Sequence, residues 1–67
     1  MPAIANLPML KFRCVVFYMT PAGHYKQCVT YARAKAADIA ADIAAERVHH
    51  DKRRQIAAIT FIKAEQL

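Results

Sequence analysis

Cys14 and Cys28, together with His24, His49 and His50, supply the donor atoms of a zinc site. Structural zinc is held by close pairs of the C-x2-C or H-x3-H kind, and the sequence has none. The cysteines are therefore expected to be small, buried, reduced residues, with no metal and no other cofactor. Imidazole titrates near neutral pH, so His49-His50 is the next candidate for chemistry. The chain contains no serine, however, and no acid is spaced to orient an imidazole towards a nucleophile. A position at a helix C-terminus, where a protonated imidazole meets the negative end of the dipole, accounts for the pair more simply.

Asp38, Asp42 and Glu46 recur at four-residue steps and form an acidic stripe on a helix. Three acids on one convex face lack the concavity that catalysis or a divalent cation requires, so the stripe reads as a solvated surface. Enzymatic activity is not expected.

Binding chemistry is better supported, because ten Lys and Arg stand against five Asp and Glu, a formal net charge of +5. Between Tyr31 and His50 the charges cancel, with Arg33, Lys35 and Arg47 against Asp38, Asp42 and Glu46. The whole excess lies outside that segment. Its densest group is Lys52-Arg53-Arg54 with Arg47 just before it, and Lys11 and Arg13 add to it from the other end of the chain. Guanidinium and ammonium groups so clustered suit phosphate or acidic side chains.

The elements that position these residues are organised around Leu10 to Thr20 (LKFRCVVFYMT), which is apolar on both alternating faces past Arg13 and so belongs in the middle of a sheet. Pro21-Ala22-Gly23 has the chemistry of a three-residue hairpin loop, Pro pre-set for the first turn position and Gly free to take positive φ. His24 to Tyr31 alternates and is rich in aromatic and β-branched residues, as a second strand is. A competing reading runs one long helix from Pro21 to His50, since Tyr25, Val29, Ala32, Ala36, Ile39 and Ile43 also fall at helical spacing. The turn favours the hairpin. From about Ala32 to Val48 the alanine-rich AADIAADIAAERV predicts a helix with Ala36, Ile39, Ala40 and Ile43 as its apolar stripe. Gln55 to Lys63 predicts a third strand, Ile56 and Ile62 on one face and Ile59 and Phe61 on the other.

The fold class expected is α+β: a small β-β-α-β domain over residues 10–67, after an N-terminal arm over residues 1–9. Its three-stranded antiparallel sheet has the order 2-1-3, with one helix packed on one face. That helix is assigned to the even-numbered face of the central strand, which is uncharged from Leu10 to Tyr18. Val15, Phe17 and Met19 then form an uncovered apolar face, and a homodimer joined through this apolar sheet surface or a sheet edge is expected. Phe17, Tyr25, Tyr31 and Phe61 with Arg13 give that face the aromatic and basic character of sheets that stack bases, but no ribonucleoprotein-type signature accompanies them, and a dimer interface explains the same aromatics with fewer assumptions.

A domain of 67 residues buries only about 60% of its unfolded surface, so a partner that adds stability is expected. No apolar run approaches the ~20 residues of a membrane span, and Pro2 and Pro8 break the N-terminus as a secretory leader. A cytoplasmic setting, with no membrane partner, is the expectation. The functional expectation is a non-catalytic binding module, an inhibitor or adaptor of the kind phages and mobile elements deploy against host nucleic-acid machinery. It would dock its basic surface on a larger protein, or a protein–nucleic acid complex, of acidic character. The alternative is direct, sequence-nonspecific binding of RNA or DNA.

Overall fold

The computed structural model describes residues 8–51 and 53–67. In order along the chain these form β1 (Leu10–Met19), β2 (Tyr25–Ala34), α1 (Ala37–His49) and β3 (Ala58–Gln66). The three strands make one sheet in the order β2-β1-β3, with both neighbours antiparallel to β1. This is the β-β-α-β architecture expected from the sequence, and the long-helix alternative is excluded. The arm falls mostly outside the described residues, since only Pro8 and Met9 of it are described, and Lys52 also falls outside them.

The hairpin closes as its composition dictates. Gly23 N–H donates to Thr20 O at 2.9 Å and Thr20 N–H donates to His24 O at 2.9 Å, leaving Pro21, Ala22 and Gly23 as the loop. Gly23 has φ +87° and Ala22 stays on the ordinary side of φ, the pattern of a type I turn followed by one left-handed residue. That loop fixes the register: Met19 faces Tyr25, Val16 faces Cys28, and Cys14 faces Thr30. Both cysteines are free, Cys14 buried and Cys28 half-buried on the same face of the sheet.

The helix lies on the even-numbered face of β1. The buried cluster joins Phe12, Cys14 and Val16 of β1, Ala32 and Ala34 of β2, and Ala40, Ala44 and Val48 of α1. Ile56, Ile59, Ile62 and Ala64 close it from the β3 side. Cys14, Val16, Ala40 and Ala44 are wholly inaccessible to solvent. Alanines at the contact let the helix backbone approach closely enough for the Cys14 thiol to reach Ala40 O, 3.8 Å away. Burial pushes the pKa of that thiol up, against a smaller opposing pull from Arg47.

Three details depart from the periodicity of the sequence. First, β2 runs through Ala34 and the helix starts at Ala37, not Ala32. Ala32 and Ala34 alternate with exposed Arg33 and sit opposite Phe12 and Leu10, so pairing with β1 and burial under the helix outweigh their helical propensity. Second, the buried stripe of α1 is Ala40, Ala44 and Val48, while Ile39 is exposed. The small residues face the sheet and Ile43 packs at the margin, because larger side chains would lift the helix off it. Third, β3 is displaced three residues towards the C-terminus and contains a β-bulge. Phe61 pairs with Phe17 and Ile59 with Tyr18, so Thr60 is the extra residue, and its hydroxyl donates to Phe17 O at 3.1 Å. The bulge returns Ile59 to the covered face beside Ile62. It does not share a face with Phe61.

Candidate functional site

The basic group at Arg47 to Arg54 occupies the turn from α1 to β3, where much of its charge is engaged. Asp51 Oδ1 accepts from the Arg53 backbone N–H at 3.0 Å and lies 3.3 Å from Arg53 Nε, and Asp51 Oδ2 lies 3.3 Å from Arg54 Nε. The Arg53 backbone bond, then its guanidinium, hold the Asp51 carboxyl below the usual aspartate range, with Arg54 adding to the effect. Arg54 also donates to the Tyr18 hydroxyl at 3.4 Å, a bond that raises the pKa of its guanidinium further. This arginine ties the connection to the buried end of β1. Arg47 reaches across the outer edge of the sheet and donates to Tyr31 O, satisfying an edge carbonyl. Arg53, though paired with Asp51, is the more solvent-exposed of the two turn arginines, its side chain 91% exposed against 38% for Arg54.

The open face of the sheet brings together a second set of residues. Cross-strand partners share a face, so the register lays out rows in which Arg33 neighbours Lys11, Arg13 lies between Tyr31 and Glu65, and Val15 between Val29 and Lys63. Phe17 lies between Gln27 and Phe61 in the next row, and Met19 between Tyr25 and Ala58 in the last. Tyr25, Phe61 and Tyr31 are 77%, 60% and 50% exposed. Isolated exposed apolar residues are ordinary, but aromatic residues grouped on one flat face are not. Lys11, Arg13, Arg33 and Lys63 stand on this face against Glu65, which lies 3.7 Å from Lys63.

The aromatic end of the face forms a hollow of about 500 Å3 lined by Phe17, Phe61 and Tyr25, with Lys26 and Lys63 also lining it. The Phe17 and Phe61 rings have centroids 6.0 Å apart and are tilted by 35°. At the basic end Lys11 Nζ sits 5.8 Å from the centroid of the Tyr31 ring, a cation–π contact. Of the apolar residues assigned to this surface, Phe17 and Met19 are half-buried and contribute to it. Val15 does not, being only 7% exposed beneath its neighbours. Arg33 and Lys63 were absent from the residues singled out in the sequence. Extending β2 past Tyr31 places Arg33 beside Lys11, and the register of β3 places Lys63 beside Val15.

The acidic stripe Asp38, Asp42 and Glu46 is exposed on the outer side of α1, with the His50 imidazole 4.0 Å from the Glu46 carboxylate. Both partners are largely solvated, and such a pair contributes little. Among the described residues no three His, Cys, Asp or Glu side chains converge as metal ligands, and no helix is long and apolar enough to cross a membrane. The chain matches no known protein family, no curated protein and no solved structure.

Proposed function

We propose that this chain is a small non-catalytic binding module that docks an aromatic and basic surface on a larger, negatively charged partner and acts by occupying it, as an inhibitor or adaptor does. One observation carries the reading: among the described residues a single helix covers one side of the sheet and no element covers the other, which presents Tyr25, Tyr31 and Phe61 among Lys11, Arg13, Arg33 and Lys63. An aromatic-rich patch rimmed by cations suits recognition of an acidic surface, the rings supplying contact area and the cations register and rate of encounter. The turn at Arg53 is a secondary contact, because Asp51 offsets its charge and Arg54 is committed to Tyr18.

Retention on immobilised heparin, a generic polyanion, tests the assignment. The Lys11→Gln/Arg13→Gln/Lys63→Gln variant is expected to elute at clearly lower salt than the unmodified protein, and Arg53→Gln close to it, both with native circular dichroism. A larger shift for Arg53→Gln moves the docking surface to the turn. Equal retention of all three proteins removes electrostatic docking from the account. A second reading, direct binding of nucleic acid, is favoured by the hollow beside Phe61.

A further inference from the structure

We infer that the open face takes single-stranded nucleic acid, with one base seated in the hollow between Phe17, Phe61 and Tyr25 and the adjoining phosphates on Lys63, Arg13 and Lys11. This rests on the assignment of the open face as the docking surface, and names its ligand. The hollow is lined by three aromatic side chains with Lys26, Lys63, Gln27 and Thr60, and no carboxylate is on its lining. Those are the contacts a nucleobase with flanking phosphates requires, since every base offers a π-face irrespective of sequence. The acidic side chains of a peptide would meet the cations but offer the rings no π-face to stack on. In a duplex the bases are already stacked and paired, so their faces are withheld from the hollow.

The dimensions agree. Residues two apart on a strand are separated by about 6.8 Å, so the basic row at Lys11 lies roughly 27 Å from the row at Met19. A handful of nucleotides spans that length, comparable with the span of about 4–16 that one OB-fold domain covers. The polarity of the face is built in, aromatic at the hairpin end and basic at the other. Tyr31 anchors Lys11 through the cation–π contact and is a positioning residue, whereas the rings that receive a base are Phe17, Phe61 and Tyr25. A second copy of the chain is the competing occupant. Stacked with its strands running the same way, it would bring Lys11, Arg13, Arg33 and Lys63 against their own counterparts.

Fluorescence anisotropy with labelled twelve-nucleotide oligo(dT) and oligo(U), and with a hairpin duplex of equal charge, tests the inference. Both single strands, or one of them, are expected to bind more tightly than the duplex, with a log–log salt slope of about −2 for three neutralised phosphates. Phe61→Ala, a change at an exposed position, is expected to weaken single-strand binding at least fivefold, the lower end of about 1–3 kcal/mol per stacked base. Phe61→Tyr is expected to retain it. Equal affinity for single strand and duplex, untouched by Phe61→Ala, overturns the inference but leaves polyanion docking intact. Binding neither to the oligonucleotides nor to heparin overturns both. A dimer in light scattering that Phe61→Ala dissociates, without oligonucleotide binding, assigns the face to a second copy and also overturns the inference.

Discussion

In urea, the Ala40→Leu variant is expected to unfold at a markedly lower midpoint than the unmodified protein, having lost about 1–3 kcal/mol, the usual cost of forcing methylenes into a filled core. Ala40 has no exposed surface, and its carbonyl lies 3.8 Å from the Cys14 sulfur, so three added carbons have no space to enter. The helix must lift or the sheet must bend. A domain of 67 residues has roughly 3–10 kcal/mol of stability in total, so the loss is a large fraction of it. Ile39→Leu, one residue earlier at an exposed position, is the control and is expected to be nearly neutral. Equal midpoints for Ala40→Leu and the unmodified protein would show that the helix does not pack on the sheet through its alanines.

Deleting Thr60 is expected to leave the protein close to its unmodified stability, whereas deleting Lys63, three residues on, is expected to destabilise it clearly more. With Thr60 removed, Ile59 and Phe61 become consecutive, still opposite Tyr18 and Phe17, and each keeps its face. The loss is one exposed hydrogen bond to Phe17 O, on the order of 1 kcal/mol. With Lys63 removed, residues 64–67 change face and Glu65 takes the half-buried position of Ala64 opposite Cys14, where partial desolvation of its carboxylate is destabilising. Circular dichroism during a urea titration of the two deletions reads the difference directly. Equal destabilisation by the two deletions, or a larger loss on deleting Thr60, would contradict the bulge assignment.

The central strand, the hairpin, the order of the sheet and the face covered by the helix were legible in the sequence, because each follows from a short-range signal. Leu10 to Thr20 is apolar on both sides, Pro21-Ala22-Gly23 permits one loop geometry, and the connection from β2 to β3 admits few topologies. The junction at Ala32 to Ala36 was not legible, because alanine suits a helix and equally suits a strand packed closely under one. Nor was the bulge at Thr60. Strict alternation puts Ile59 with Phe61, and the extra residue is apparent only once β1 supplies the opposing register. For the candidate site, the aromatic and basic character of the open face could be read from Phe17, Tyr25, Tyr31, Phe61 and Arg13. The partial neutralisation of Arg53 and Arg54 could not, because it depends on the turn that folds Asp51 back onto them.

The central claim is that the open sheet face, and not the turn at Arg53, is the docking surface. Amide chemical-shift mapping of the 15N-labelled protein during titration with a short heparin oligosaccharide tests it most directly. The largest perturbations are expected at the amides of Lys11, Arg13, Tyr25, Tyr31, Phe61 and Lys63, while those of α1 and of Arg53 move little. Perturbations confined to Arg47 through Arg54, with the open face silent, would contradict it.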